Sequence, residues 1–398
     1  MEHKTRIKGN VHYVGVNDRN KHRFEGMWPL PYGVSYNSYL IDDEMVALVD
    51  TVDICYFEVY LRKIKQVIGE RPINYLIINH MEPDHSGSIR LIKQHYPGII
   101  IVGNKQTFGM IEGFYGVTGE QYLVKEGDFL ALGHHKLRFY MTPMVHWPET
   151  MMTFDETDGV LFSGDGFGCF GTVDGGFLDT RINVDKYWGE MVRYYSNIVG
   201  KYGSPVQKAL QKLGGLPISA ICSTHGPVWT ENIAKVIGIY DRLSRYDADE
   251  GVVIAYGSMY GNTEQMAEAI AEELSAQGVK NIVMHNVTKS HPSYIIADIF
   301  RYKGLIIGSP TYSNQIFPEV EALLSKILLR EVKGRYLGYF GSFTWAGAAV
   351  KRLAEFAEKS KFELIGDPVE MKQAMKDITY TQCENLARAM AERLKKDR

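Results

Sequence analysis

Short apolar runs bounded by turn residues recur through the first 230 residues: NYLIINH, PGIIIVG, GVLFSGD and SAICSTH. Amphipathic or turn-rich segments separate them, the signature of strands mixed with helices. NSYLIDDEMVALVDT predicts two strands around a turn at Asp42–Asp43, with Val46, Leu48 and Asp50 on one face and Ala47 and Val49 on the other. In TENIAKVIGIYDRLSRYDADEG, residues Ile233, Val236, Ile237, Tyr240 and Leu243 fall at helical spacing before an acidic stretch, Asp247 to Glu250, breaks the pattern. The domain boundary is placed there, dividing the chain into 1–248 and 249–398. Beyond it, GVVIAYGSMYGNT leads into a helix with Met266, Ile270 and Leu274 on one face. NIVMHNV, GLIIGSPTYS, YLGYFGSFTW and a last helix from about Thr381 follow. Strand–loop–helix units of this length predict a doubly wound parallel sheet. The fold class is α/β in both parts.

Composition narrows the partners rather than the fold. At 398 residues the chain is long enough for two cores, and charged residues make up 23% with a net charge of only −3. That balance predicts neither a polybasic nucleic-acid footprint nor a disordered acidic tail. Cys55, Cys169, Cys222 and Cys383 stand singly, so no C-x-x-C pair proposes an iron–sulfur site or a disulfide framework, and a reducing, cytoplasmic setting is expected. MEHKTRIKGNVHYVG has no apolar core of a signal peptide, and no stretch approaches a membrane span.

Candidate chemistry concentrates in NHMEPDHSG, which sets His80, Glu82, Asp84 and His85 directly after an apolar run. A loop leaving the C-terminal end of a buried strand lets side chains converge without breaking the sheet. Three further segments repeat the order of strand and then ligand: FYMTPMVH ends at His146, VLFSGD at Asp165 and AICSTH at His225. All are expected at one edge of the sheet. Four imidazoles and three carboxylates exceed what one zinc ion uses but suit two cations sharing a bridging carboxylate. His134 and His135 sit in an apparent hairpin and are read as solvated surface, as are His3, His12, His22, His95, His285 and His291, which lack a carboxylate cluster.

The second part carries a different pocket. Ser258, Met259, Tyr260, Gly261, Asn262 and Thr263 connect a buried strand to a helix N-terminus, where backbone N–H groups, the helix dipole and two hydroxyls can bind a phosphate. The absence of a P-loop lysine argues against a triphosphate. Two later strand ends add Ser309, Pro310, Thr311, Tyr312 and Asn314, and then Ser342, Phe343, Thr344, Trp345, Ala346 and Gly347. Aromatics beside Gly-rich loops suit a flat ring system, although Tyr312 and Trp345 could instead pack a domain interface.

The H-x-[EH]-x-D-H run with later His, Asp and His resembles the metallo-β-lactamase-like fold over roughly residues 10 to 245, implying an αββα sandwich. Glu82 replaces the second His usual in hydrolases of that fold, and this resembles the flavodiiron proteins. The loops of residues 251 to 398 resemble flavodoxin and imply FMN. The joint resemblance implies an enzyme reducing dioxygen to water or nitric oxide to nitrous oxide. It further implies that His80, Glu82 and His146 hold one iron, that Asp84, His85 and His225 hold the other, and that Asp165 bridges them. Trp147 would shield this site or simply pack the core. A head-to-tail homodimer or dimer of dimers and a rubredoxin-type electron donor are implied too. Some relatives carry a His where Glu25 stands near the open face of the metal site. Two competing readings are a zinc hydrolase with a regulatory flavodoxin domain and an electron carrier whose metal site is empty.

Overall fold

The apolar runs of the first part become strands in the computed structural model, which describes residues 4–397. Seven of them form one sheet, in spatial order Arg6–Lys8, Val11–Tyr13, Tyr39–Ile41, Ala47–Val49, Tyr75–Ile77, Ile100–Gly103 and Gln121–Leu123. Pairing is antiparallel as far as Ala47–Val49 and parallel beyond it. A second sheet of five strands follows the order Phe129–Ala131, Lys136–Met141, Met151–Asp155, Val160–Gly164 and Ala220–Ser223, antiparallel except for its last pair. Inward residues of both sheets, among them Val49, Ile77, Val102, Phe139, Phe162 and Cys222, share a single apolar core.

The alternation expected around Asp42–Asp43 is present, but neither face is exposed. Ala47 and Val49 enter the core between the sheets, while Leu48 on the opposite face is equally buried. A sheet covered on both sides explains why the strands read as continuous apolar runs. The helix Phe57–Ile68 buries the stripe Phe57, Tyr60, Leu61, Ile64 and Ile68, four of them one turn apart or nearly so.

Chain contacts divide the protein into two compact units, Met1–Ser244 and the residues from Arg245 onward. Helix Ile233–Ser244 closes the first, and the acidic stretch after it runs into the first strand of the second, Asp249–Tyr256, which takes in its Asp249 and Glu250. There the sheet order is Ile282–Asn286, Asp249–Tyr256, Tyr302–Tyr312 and Tyr336–Phe343, all parallel. Glu363–Leu364 and Val369–Lys372 share the last place, each pairing with a different half of Tyr336–Phe343. Met266, Ile270 and Leu274 of helix Asn262–Ala276 pack into this unit's core as their spacing predicts. The last helix, Asp377–Lys395, starts four residues before Thr381. Strand order reverses between Asp249–Tyr256 and its neighbours, and the crevice outside such strand ends is where open α/β sheets bind ligands. Among the described residues no helix is long and apolar enough to cross a membrane.

Candidate metal centre and flavin loops

Two sheets, not one edge of a single sheet, deliver the candidate ligands. Tyr75–Ile77 of the seven-stranded sheet leads to His80, and the short helix Pro83–Ser86 then turns Asp84 and His85 inward. Lys136–Met141, Val160–Gly164 and Ala220–Ser223 run in the same direction in the five-stranded sheet and lead to His146, Asp165 and His225. The shared core holds the two sets of strand ends against each other. All seven side chains are buried.

Their distances sort them into two groups around Asp165. One carboxylate oxygen, Oδ2, lies 3.0 Å from His146 Nε2 and 3.7 Å from His80 Nε2; Glu82 Oε2 lies 3.1 Å from His146 Nε2 and 3.7 Å from His80 Nε2. The other, Oδ1, lies 3.2 Å from His85 Nε2 and 3.5 Å from His225 Nε2. Asp84 completes this second group, with Oδ1 3.6 Å from His85 Nε2 and Oδ2 3.3 Å from His225 Nε2. Both Asp84 oxygens, both His85 nitrogens and His225 Nε2 are buried without a hydrogen bond of acceptable geometry. Buried polar atoms are otherwise paired in nearly every case. Donor atoms that converge without bonding one another are arranged for cations between them.

Protonation follows from this crowding. Burial alone would lower the pKa of His85, but Asp84 and Asp165 outweigh it and push it up to about 10. Burial opposes ionisation of Asp165 as well, yet the facing His85 and His146 hold its carboxyl well below the usual range. Burial dominates at Asp84 and raises it. A cation bound among these groups would displace protons from them.

A surrounding shell fixes the imidazoles. His80 Nδ1 meets Glu149 Oε1 at 2.7 Å, and the same oxygen accepts from the Met81 backbone N–H at 2.9 Å. His225 Nδ1 donates to the Ser35 carbonyl at 2.8 Å. The Thr224 hydroxyl donates to Asp165 Oδ1. Phe24, Tyr36 and Tyr194 pack around His225. Trp147, half-buried, sets its ring against His80 with centroids 5.3 Å apart, so it shields the site. A cleft of about 680 Å³ opens beside Glu82 and Asp84, lined also by Lys21, Phe24, Glu25 and Arg90. Glu25 there accepts from Trp28 Nε1 at 3.0 Å.

Sequence reasoning overlooked Glu149. It stands three residues beyond His146, and a carboxylate at that spacing in HWPE was the available signal. Two histidines read as solvated surface are buried instead. His135 is 1% exposed and pairs with Asp155 Oδ2 at 2.9 Å, and His12 packs against the Thr5 hydroxyl at 3.0 Å. Neighbouring residues of a hairpin face opposite sides, so one of His134 and His135 had to point inward. His285 is half-buried and bonds Asp298 and Ser290. His3 lies outside the described residues.

In the second unit, Gly261 precedes helix Asn262–Ala276 at φ +90° with no side-chain cap, leaving the first helical N–H groups available. Ser258 Oγ accepts from the Gly261 N–H at 3.1 Å, shaping the loop, and Thr263 Oγ1 meets Ser342 Oγ at 2.8 Å, tying the first loop to the third. Ser313 and Asn314, both at positive φ, turn the hairpin that pairs Tyr312 with Gln315. The hydroxyls of Ser309 and Thr311 serve the backbone: Ser309 accepts from Phe317 N–H, and Thr311 from the N–H groups of Ala348 and Ala349. Thr344, Trp345, Ala346 and Gly347 are exposed, and Tyr260 and Trp345 are 92% and 81% exposed. Large aromatics left bare around an uncapped helix N-terminus fit the faces of a planar, phosphate-bearing ligand.

Comparison with known proteins agrees with both halves. Residues 34–226 match the ODP family beta lactamase model, and residues 254–386 match flavodoxin. The anaerobic nitric oxide reductase flavorubredoxin of Vibrio vulnificus is 32% identical over 363 residues, covering 90% of this chain and 73% of the relative. Among solved structures, rubredoxin oxygen:oxidoreductase from Desulfovibrio gigas superposes with a TM-score of 0.93 at 31% identity, covering 97% of both chains. The flavodiiron protein from Giardia intestinalis gives 0.91 at 27% identity, covering 97% of this chain and 95% of that one. A two-group metal cluster on a beta-lactamase-like unit, a flavodoxin unit after it and relatives matching along both establish that the chain belongs to the flavodiiron protein family.

Proposed function

We propose that this protein is an oxidoreductase that reduces dioxygen to water or nitric oxide to nitrous oxide at two iron ions, with electrons entering through FMN. The observation that carries the reading is the position of Asp165, whose two oxygens face separate imidazole pairs across one buried cluster. His80, Glu82 and His146 would hold one ion, Asp84, His85 and His225 the other, with Asp165 shared. The hard carboxylate at Glu82, in place of a third imidazole in the local run, favours iron over zinc.

When bound, two ferrous ions and a reduced flavin supply four reducing equivalents, the number that takes dioxygen to two waters; two nitric oxide molecules need two. The chain's own residues prepare the place. Glu149 and the Ser35 carbonyl fix two imidazole tautomers, and Phe24, Tyr36, Tyr194 and Trp147 limit water around the cluster. The cleft beside Glu82 and Asp84 gives access to one side.

The Ser258 to Thr263 loop would hold the FMN phosphate, and Tyr260, Tyr312 and Trp345 its ring system. A rubredoxin-type donor is supported by the name of the Desulfovibrio gigas relative. Head-to-tail pairing of two chains, alone or as a dimer of dimers, would bring the flavin of one to the metals of the other. Metal analysis of protein produced without zinc supplementation, with the flavin absorption spectrum, tests the cofactor assignment. Two irons and one FMN per chain are expected. Zinc in place of iron would favour a hydrolase and overturn the reading.

A further inference from the structure

We propose that Glu149 makes the two metal positions electronically unequal, so that the ion held by Asp84, His85 and His225 is reduced first and the ion held by His80, Glu82 and His146 last. The inference rests on the two-iron reading above. By direct donors the positions are matched: each has two imidazoles and one carboxylate of its own, and Asp165 is common to both. The difference lies behind the imidazoles.

Among the described residues, His80 alone of the four has a carboxylate on its outer nitrogen, Glu149 Oε1 at 2.7 Å. Glu149 is completely buried and its second oxygen has no hydrogen-bond partner; its charge faces His80, the Met81 N–H and its own backbone N–H, and His80 is the one side chain among them. Asn104 Nδ2 donates to the Glu149 main-chain carbonyl at 2.6 Å and anchors the residue to helix Lys105–Tyr115. On the other side, His225 Nδ1 has only the neutral Ser35 carbonyl, and His85 Nδ1 has no hydrogen bond. The buried carboxylate of Asp50 accepts from the Asn79 N–H at 2.8 Å and Nδ2 at 3.0 Å and acts on His85 through space alone, without the direct hydrogen bond that joins Glu149 to His80.

A carboxylate drawing on the Nδ1 proton makes Nε2 a stronger donor toward a metal. A stronger donor stabilises the more highly charged oxidation state, and hydrogen bonding behind the ligand is an established lever on potential. Glu149 is thus a positioning residue that also sets the order in which the pair accepts electrons.

The test is a reductive titration of the holoenzyme, following the iron by EPR, in the wild type and in Glu149→Gln, which keeps the shape and an acceptor but removes the charge. Fewer than two irons in the wild type would defeat the parent reading before the variant is considered. With two irons present, the proposal expects the lower of the two one-electron steps to rise in Glu149→Gln and the gap between steps to narrow. An unchanged or wider gap overturns it. Should the variant hold its flavin and melt cooperatively but keep a single iron, loss from the position of His80, Glu82 and His146 supports the proposal, and loss from the other position or of both irons overturns it. Where Glu149→Gln fails to fold, Glu149→Asp, which withdraws the carboxylate by one methylene, is read by the same gap.

Discussion

Replacing Asp165 with Ala removes the carboxylate whose oxygens face both imidazole pairs and leaves His80, His85, His146 and His225 crowded without it. We expect Asp165→Ala to lose the metal pair while retaining flavin, measured by metal analysis and flavin absorbance on one sample; loss of both together would contradict the separation of the sites. A second residue tests folding rather than chemistry. Asp179 accepts from Thr230, Glu231 and Asn232 N–H groups and from the Thr230 hydroxyl and Asn232 amide at 2.7–3.0 Å, just ahead of helix Ile233–Ser244. Burial opposes its ionisation, but these donors, the Thr230 hydroxyl foremost, hold its pKa below the usual value. A depressed carboxyl stabilises the fold above its unfolded pKa of about 4 and loses that contribution as pH falls through the folded value. Asp179→Ala should therefore cost about 2 kcal/mol at neutral pH in chemical denaturation, and the difference from wild type should shrink below about pH 4. The seven-residue cluster was legible because each member follows an apolar run. Glu149 was not, because it lies in an irregular turn and its meaning depends on the His80 ring behind it. His135 was misread because its partner Asp155 lies on the neighbouring strand, a pairing that only the register of the hairpin reveals.

At the scale of elements, position is set by strand ends and by turns that demand particular backbones. The strand runs NYLIINH, GVLFSGD and SAICSTH were legible, and so was the change to strand–loop–helix units after helix Ile233–Ser244. What periodicity could not tell was how the strands distribute between sheets: a continuous apolar run looks the same in either layer of a sandwich. The three segments proposed for flavin do lie at or beside strand ends, yet the hydroxyls of Ser309 and Thr311 bond the backbone, a use that sequence alone does not distinguish from ligand binding. Gly261 is the element's most exacting position, since its φ of +90° precedes the helix N-terminus directly. A side chain there strains the loop by about 1–2 kcal/mol and pushes the first helical N–H groups out of line. Gly261→Val is expected to weaken flavin binding at least tenfold by fluorescence titration of the apoflavoprotein, with metal content unchanged. Unaltered flavin affinity would remove this loop from the binding site.

At the scale of the whole molecule, the candidate metal cluster and the loops proposed for flavin stand on two separately cored units of one chain. Each family model covers one unit, and relatives named for nitric oxide and for oxygen align along both. The head-to-tail pairing proposed above predicts that activity per chain falls on dilution below the dissociation range of such a dimer, checked by sedimentation at the same concentrations; a fully active monomer would refute the pairing. The most direct test of the reductase assignment uses the holoenzyme reduced anaerobically to the fully reduced flavin and ferrous state. Dioxygen and nitric oxide are then added separately while flavin absorbance and gas consumption are followed. Rapid reoxidation by at least one gas, with dioxygen consumed to water without released peroxide or nitric oxide converted to nitrous oxide, is the predicted result. Flavin that stays reduced in the presence of both gases would contradict it.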